Sequence, residues 1–171
     1  MFMDVTVVPA RRQERAAIEN LFQLYTHDFS EFWSGTPTGE LSDEGRFPPR
    51  SLDAYWQSAD HQPLLIRVAG HLAGFALINK EAHSKAKADF IMAEFFVVRK
   101  HRGAGVGRRA AQEIFGERKG TWEVAVARRN IGAISFWRGT IATLPGVSGF
   151  SQQDHHEARW NGPIFRFSTA A

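Results

Sequence analysis

One segment of the chain, residues 89–118, constrains the fold more than any other, because an apolar run there leads through glycines into a helical pattern. Residues 89–98 form the most strongly apolar run and predict a buried strand. The glycines of Arg102-Gly-Ala-Gly-Val-Gly107 permit positive φ angles and let the backbone approach another group closely. A helix is predicted to follow over residues 104–118. The segment is therefore predicted to run from a strand through a glycine loop into a helix.

The rest of the sequence alternates between the two kinds of pattern. Apolar alternation and β-branched residues predict strands at 4–8, 64–69, 71–79, 89–98, 122–127, 155–160 and 164–167. Helical spacing predicts helices at 11–28, 52–58, 104–118 and 130–138, the last closed by Gly139. Asn161-Gly162 is a favoured two-residue turn and is expected to join the last two strands. The order is β-α-(α)-β-β-β-α-β-α-β-β. Because no repeat and no linker interrupts it, we expect one domain over residues 1–171.

The composition predicts a packed protein and excludes several kinds of site. Apolar residues make up 43% of the chain and charged residues 23%, as expected for a globular core. The chain has no cysteine, which excludes disulfides, thiol nucleophiles and thiolate–metal sites. Adjacent His155 and His156 would point to opposite faces of a strand, so no metal site is expected. The net charge of +3 suits a small polyanionic ligand but indicates neither nucleic acid nor a membrane as partner. Because no membrane-spanning run and no signal pattern occurs, we expect a cytoplasmic protein.

The glycine loop has the chemistry of an anion site. The first N–H groups of a helix lack intrahelical partners and lie at the positive end of its dipole, so they favour phosphate. Arg108 and Arg109 fall in the first predicted helical turn, where the dipole disfavours cations. A bound anion would supply the missing negative charge, whereas the alternative is a solvated basic helix start. A dinucleotide fingerprint fits less well, because residue 108 is not glycine, and no Gly-Lys-Ser/Thr follows to make a P-loop.

Two motifs resemble the GNAT superfamily of N-acetyltransferases. Arg102-Gly-Ala-Gly105-Val-Gly107 matches that family's Arg/Gln-x-x-Gly-x-Gly/Ala sequence, and Asn130-Ile-Gly-Ala133 with Phe136-Trp137 matches in part its Asn-x-x-Ala…Phe-Tyr element. The predicted element order agrees as well. The resemblance implies a single-domain α/β (α+β) fold. Its mixed, mostly antiparallel central sheet would have about six to seven strands flanked by helices, with strands 4 and 5 splayed apart next to a β-bulge.

The resemblance also implies a cofactor and the residues that hold it. The acyl donor would be acetyl-CoA, and the activity would be direct acetyl transfer to a primary amine of a small molecule or peptide. Backbone groups of Phe96, Val97 and Val98 would pair with the pantetheine arm, and the Val97 N–H would polarise the thioester carbonyl. Asn130 and Phe136 would lie along the other side of the cofactor. The pyrophosphate would rest on the N–H groups of Arg102, Gly103, Ala104, Gly105, Val106, Gly107 and Arg108.

Glu94 is the candidate general base, because a carboxylate in an apolar strand needs either a partner or a wet cleft. The alternative is a structural ion pair, for example with Arg67. Trp137 stands where many family members have a tyrosine acid, and an indole N–H is not a practical proton source. This departure favours a second hypothesis, a catalytically silent acyl-CoA-binding or sensor domain. A nucleic-acid-binding module on the basic cluster 99–109 is a third.

The acceptor side is less defined, and the sequence leaves two interpretations open. Aromatic and acidic residues after the first helix could line an amine pocket, or could be ordinary loop packing with a solvated acidic rim. His27 belongs either to that pocket or to a helix C-terminus, where its charge suits the dipole. A homodimer is possible. The loop residues concerned are Phe29, Phe32, Trp33, Phe47, Asp28, Glu31, Asp43 and Glu44.

Overall fold

The computed structural model describes residues 3–170 and contains one seven-stranded sheet in the order β1-β2-β3-β4-β5-β7-β6. The strands are β1 (Val5–Pro9), β2 (Gln62–Val68), β3 (His71–Asn79), β4 (Phe90–Val97), β5 (Gly120–Ala125), β6 (Val147–His156) and β7 (Asn161–Thr169). The helices are α1 (Arg15–Ser30), α2 (Ala54–Gln57), α3 (Val106–Glu117) and α4 (Ile131–Ala142), with 3-10 turns at Arg12–Glu14, Glu31–Trp33 and Arg99–His101. Met1, Phe2 and Ala171 of the expected domain lie outside the described residues.

Strands β4 and β5 are the one parallel pair among the described strands, and they separate soon after they meet. Their pairing stops after Phe90↔Trp122 and Ile91↔Glu123, and β5 continues against β7 instead. On its other edge β4 stays paired with β3, where Ile78 faces Met92 and Leu77 faces Glu94. Ala93 is therefore an extra residue, a β-bulge, which bends a strand and increases its twist. The predicted fold class and its splay between strands 4 and 5 are confirmed.

The sheet lies between two helical layers, as the alternation of its side chains requires. Neighbours along β2 point to opposite faces: Leu65 packs with Ile18 of α1, whereas Leu64 packs with Phe115 of α3. The α3–α4 face contains the largest buried aromatic, Trp122, which has no exposed surface. Both faces of the central strands are thus covered, and the splay is left as the opening into the interior.

The C-terminal hairpin is longer than predicted and turns elsewhere. Asn161 and Gly162 are the first residues of β7, paired with His156 and His155, and the turn lies at 157–160, closed by the Glu157 N–H donating to the Trp160 carbonyl (3.0 Å). The assignment of the turn to Asn161-Gly162 is therefore wrong. Gly162 has φ +144°, and a Cβ there would lie 2.2 Å from the Val126 carbonyl oxygen. Residue 162 must be glycine because β7 passes close to the backbone at the end of β5, and not because a turn requires it.

Other boundaries differ for similar reasons. Strand β6 begins at Val147, well before the predicted residue 155. The prediction missed its first half because β6 is an edge strand with mostly exposed polar residues and no apolar alternation. Helix α4 passes through Gly139 and ends at Ala142, since Ile141 is still buried in the core. The predicted helix at 52–58 is the single turn of α2. Within residues 3–170 no helix is long and apolar enough to cross a membrane.

We expect Gly162→Ala to lower the free energy of unfolding by more than about 1 kcal/mol, because alanine combines an unfavourable positive φ with a clash against backbone. Gly116→Ala is the matched control. Gly116 lies exposed near the end of α3 with nothing within 4 Å of an added Cβ, so alanine there should stabilise by roughly 0.5–1 kcal/mol. Urea denaturation of the two variants gives the comparison. Equal stability of Gly162→Ala and the parent protein would contradict this role for Gly162.

Candidate functional site

The splay opens into a cleft with two adjoining chambers. The loop chamber, about 730 Å³, borders the glycine loop, and the Glu94 chamber, about 620 Å³, borders the bulged part of β4. Six residues line both chambers and mark their junction. They are Tyr25, Phe29, Phe95, Asn130, Ala133 and Trp137.

The glycine loop presents a row of free N–H groups to the loop chamber. Gly103 and Gly105 have φ angles of +78° and +82°, in the left-handed region that favours glycine. The first helical hydrogen bond of α3 runs from the Arg109 N–H to the Gly105 carbonyl (3.0 Å). The six consecutive N–H groups from Gly103 to Arg108 have no hydrogen-bond partner in the described part of the chain. Successive free N–H groups at a helix start form the kind of concavity that binds anions in other proteins.

The arginines around this loop have different roles. Arg108 lines the loop chamber, but Arg109 donates to the Met3 carbonyl (2.9 Å) and is occupied outside it. The electrostatic argument from the sequence therefore applies to Arg108 alone. The Arg102 N–H donates to the Arg99 carbonyl (3.1 Å), so it is not among the free groups. The resemblance had included it among the N–H groups that would hold the pyrophosphate. Its side chain donates from Nε to the Val97 carbonyl (2.7 Å) and braces the end of β4 against the loop.

Asp28 ties the end of α1 to the same loop. Its carboxylate accepts hydrogen bonds from Arg99 Nε (3.0 Å) and from the Arg102 guanidinium. Burial acts to raise the pKa of Asp28, but the hydrogen bonds from Arg102 and Arg99 outweigh it and leave the pKa below its ordinary value. Asp28 is therefore a negatively charged residue in the wall of the loop chamber, and Arg99 and Arg102 already balance its charge.

The backbone of β4 faces the cleft at alternate residues. The Val98 N–H donates to the Ala73 carbonyl of β3 (2.8 Å), and the Val98 carbonyl accepts from the His101 N–H (3.0 Å). Phe96 is paired with Phe75 in the same register. Because ladder bonds alternate in direction, the N–H groups of Phe95 and Val97 point away from β3, into the splay.

The predicted pairing of Phe96, Val97 and Val98 with the pantetheine arm is thus corrected in part. Val97 does present its N–H to the cleft, but Phe96 and Val98 use their backbone groups against neighbouring segments and direct none into it. Phe95, rather than Phe96 or Val98, directs its N–H into the cleft. The sequence could not identify Phe95, because the register of β4 against β3 depends on the bulge at Ala93.

Helix α4 forms the opposite wall. Asn130 caps it, because its Oδ1 accepts from the Ala133 N–H (3.1 Å), and it also lines both chambers. Phe136 stacks on Phe95, with ring centroids 5.8 Å apart, and lies 3.2 Å from where a Cβ of Gly107 would be. The third glycine of the loop therefore admits the Phe136 ring. Asn130 and Phe136 lie on the far side of the cleft from β4, where the resemblance had located them.

Glu94 reaches the second chamber from the bulged part of β4, with 10% of its side chain exposed. It forms an ion pair with Arg50, which itself stays 58% exposed. The alternative pairing with Arg67 does not occur, since Arg67 contacts Glu14 (3.5 Å). Burial raises the pKa of Glu94, and the neighbouring Tyr25 hydroxyl and the Arg50 charge oppose that rise. Glu94 is thus a partly desolvated carboxylate with a displaceable partner, which is what a base for an amine requires.

Tyr25 lies where the two chambers meet. Burial, followed by the Glu94 charge, holds the pKa of Tyr25 well above its ordinary value, so the hydroxyl stays protonated. Trp137 is nearly buried and packs edge-on against Phe95 (5.0 Å between centroids) and Phe115. The tyrosine hydroxyl in this cleft therefore comes from α1, and not from α4.

Three residues of the Glu94 chamber carried no signal in the sequence. His83 and Arg159 come from the β3–β4 loop and the β6–β7 turn, and Trp160 stacks on His83 with ring centroids 4.2 Å apart. Burial lowers the pKa of His83; the Glu123 charge opposes this, the charges of Arg159 and Arg50 add to the lowering, and the imidazole is neutral at neutral pH. Only the tertiary fold brings these segments together.

The loop after α1 contributes less than the sequence suggested. Phe29 lines both chambers, Trp33 lines the Glu94 chamber, and Phe32 and Glu31 line the loop chamber. Phe47 is buried in ordinary packing, and Asp43 and Glu44 line neither chamber. His27 is 73% exposed, outside both chambers, near Phe47. Residues 3–170 contain no group of three or more His, Cys, Asp or Glu arranged to hold a metal ion.

Known proteins agree with this architecture. The model of the acetyltransferase (GNAT) family matches residues 18–139. A GNAT-family acetyltransferase from Staphylococcus aureus Mu50 is 8% identical, with 95% of this chain and 98% of that chain covered and a TM-score of 0.59. The putative acetyltransferase yncA of Salmonella typhimurium, solved with acetyl-CoA, is 16% identical, with coverage of 97% and 94% and a TM-score of 0.56. Arabidopsis thaliana Naa50, in complex with the bisubstrate analogue CoA-Ac-MVNAL, is 17% identical, with coverage of 98% and 99% and a TM-score of 0.57.

No curated protein matches the chain by sequence. The structural likenesses lie below 25% identity and establish the fold, whereas the family model covers most of the chain, including both motifs. The glycine motif forms the loop with free N–H groups, and the second motif forms the start of α4 on the opposite wall of the cleft. The chain belongs to the acetyltransferase (GNAT) family.

Proposed function

We propose that the protein transfers the acetyl group of acetyl-CoA directly to a primary amine. The observation that carries this proposal is the row of free N–H groups at Gly103–Arg108, which adjoins the splayed edge of β4 and leads to a desolvated carboxylate. The relatives support it: yncA was solved with acetyl-CoA, and Naa50 with a CoA–peptide analogue. A further neighbour at a TM-score of 0.54 is the ribosomal-protein-S18-alanine N-acetyltransferase of Escherichia coli.

The cleft offers the cofactor a continuous track. The pyrophosphate would accept hydrogen bonds from the loop N–H groups, with Arg108 adding charge. The pantetheine arm would run along β4 as an added strand and pair with backbone groups of Phe95 and Val97. Phe136 and Asn130 would form the opposite wall. Bound in this way, acetyl-CoA supplies an activated acyl group at the junction of the two chambers.

Residues of the two chambers match the needs of the reaction. The acceptor nitrogen forms a bond to the acetyl carbon as the carbon–sulfur bond breaks, and the nitrogen must lose a proton. Glu94 would take that proton, and burial, which raises the pKa of its carboxyl, makes it a better proton acceptor. The Val97 N–H would stabilise the negative charge that develops on the carbonyl oxygen. His83, neutral and in the same chamber, is the other group able to accept a proton there.

The CoA thiolate needs a proton, and Trp137 cannot supply it. We propose that Tyr25 relays one: its hydroxyl gives a proton to the sulfur and receives the proton that Glu94 took from the amine. In such a relay the phenol never carries a net charge, so its high pKa is no obstacle. The proton moves overall from a carboxylic acid to a thiolate, which is downhill by their ordinary pKa values.

The alternative function is a catalytically silent acyl-CoA-binding domain. Trp137, buried in the core at the position of the family's tyrosine, is the observation in its favour. It predicts cofactor binding without thiol release from any amine. A thiol-release assay with acetyl-CoA across polyamines, aminoglycosides, amino acids and peptide N-termini distinguishes the two functions.

Gly105→Glu should abolish binding of acetyl-CoA, because it puts a side chain and a negative charge where the phosphates would lie. For the parent protein, acetyl-CoA at a hundred times its Kd adds about 2.7 kcal/mol, which raises the Tm by roughly 5–10 °C. Gly45→Glu is the control, because Gly45 has a similar φ of +74° but lies outside both chambers. If Gly105→Glu keeps the full thermal shift, the loop is not the phosphate site.

The pH profile of kcat/KM should have an acidic limb set by Glu94. Arg50 lowers the pKa of Glu94, so Arg50→Gln should raise that pKa and move the limb to higher pH. Glu94→Gln should remove the limb and lower kcat by roughly 10²–10⁴-fold. Arg46→Gln, on the same loop but outside the cleft, should leave the profile unchanged. Full turnover in Glu94→Gln combined with its loss in His83→Gln would assign the base to His83 instead.

Tyr25→Phe should lower kcat by at least about tenfold with no change in the Kd for acetyl-CoA, as expected on loss of a proton-transfer group. Tyr55→Phe is a matched control, since the Tyr55 hydroxyl accepts a hydrogen bond from Asn79 (3.1 Å) and lines neither chamber. Steady-state kinetics with the best amine of the panel measures both variants. Unchanged kcat in Tyr25→Phe would rule out the relay.

A further inference from the structure

The Glu94 chamber is lined by two arginines and two carboxylates, so it has no excess of negative charge to attract an amine. Its inner carboxylate, Glu94, is already paired with Arg50. The other acid on its wall, Glu81, is 73% exposed and contacts His61 (3.3 Å). Asp28 was one of the acids expected to attract an amine, but it forms ion pairs with Arg99 and Arg102 beside the loop chamber. A simple cationic acceptor therefore has one inner carboxylate, and it must compete with Arg50 for it.

Arg159 is the second cation of this chamber. It donates from Nη2 to the Ala82 carbonyl (2.8 Å), and no carboxylate of residues 3–170 lies within ion-pair distance of it. Its remaining N–H groups are free to hold an anion bidentately. Arg159, Arg50 and His83 all line this chamber, so both guanidinium groups border the same cavity.

The chamber walls between these charges are aromatic. Phe29 and Trp33 come from the end of α1 and the turn after it, and Trp160 comes from the β6–β7 turn next to Arg159. The Arg50 guanidinium also lies over the Phe22 ring, 5.9 Å from its centroid. Such walls favour a flat or apolar group on the ligand.

We propose that the acceptor is a small amine that also carries a carboxylate, namely an α-amino acid with an aromatic or apolar side chain. This inference rests on the proposed acetyltransferase function. The acceptor's amine would take the place of the Arg50 guanidinium at Glu94, and the acceptor's carboxylate would pair with the freed Arg50 and with Arg159. The exchange keeps Glu94 and Arg50 paired and gives Arg159 a counter-ion, whereas an amine without a carboxylate would displace Arg50 from Glu94 and leave both exposed guanidinium groups to solvent. Arg159 and Arg50 are thus specificity-determining residues.

The test compares acceptors that differ only in the carboxylate. Thiol release from acetyl-CoA is measured with L-phenylalanine, L-tryptophan and L-methionine, with the amide of each, and with a short peptide that begins with the same residue. Values of kcat/KM are corrected for the fraction of unprotonated amine. We expect at least one free acid to exceed its amide by about tenfold or more, because a site built around a charged group rejects a ligand without it.

Arg159→Gln should remove this preference by raising KM for the free acid about tenfold or more, with KM for acetyl-CoA and kcat/KM for the amide unchanged. Arg159→Lys should retain part of the preference, and Lys85→Gln, the loss of a positive charge outside the chamber, should retain all of it. Acetylation of the amides or peptides in preference to the acids overturns the inference and leaves the proposed function standing. Absence of thiol release with every amine, although acetyl-CoA still raises the Tm, overturns both.

Discussion

The separation of β4 from β5 is the constraint on which the rest of this structure depends. After Ile91 the two strands share no further pairs, and the bulge at Ala93 turns β4 away while β5 continues against β7. A closed sheet would have used the N–H groups of Phe95 and Val97 in its ladder, and neither chamber would exist. Unpaired backbone groups inside a protein are costly unless water or a ligand meets them, which is why such an opening indicates a binding site.

A buried ion pair holds the edge of this opening. Glu123, the last β5 residue to pair with β4, has no exposed surface and accepts from the His83 N–H (2.7 Å), the Ser84 N–H (3.2 Å) and Arg166 Nη1 (2.7 Å). A buried carboxylate is tolerated when its hydrogen bonds are complete, and removal of one partner typically costs about 3–5 kcal/mol. These bonds fix the β3–β4 loop, and with it the position of His83 in the Glu94 chamber.

The end of α1 is fastened to both sides of the opening. Asp28 holds the two arginines beside the glycine loop, and Arg129, just before α4, donates to the Phe32 carbonyl (2.8 Å). Helix α1 therefore crosses the junction and contributes the Tyr25 hydroxyl, whereas α4 has Trp137 at the position of the family's tyrosine. The same crossing brings Arg50, from the loop after α1, onto Glu94. The charge of the Glu94 chamber is set by segments that are far apart in the chain.

The sequence by itself determined the fold class, the element order and the glycine loop, because those depend on local patterns. The glycines at 103 and 105 fix a left-handed backbone, and the residues that follow start a helix whatever surrounds them. Likewise, Glu94 is conspicuous in the sequence as the one charged residue of an apolar strand. The tertiary structure alone decided that Phe95 and Val97, and not Phe96 and Val98, turn their backbone into the cleft, since one bulged residue sets the register. It also decided the partner of Glu94, the position of Tyr25 and the convergence of His83, Arg159 and Trp160, because contacts between distant segments leave no periodic signal in a single sequence.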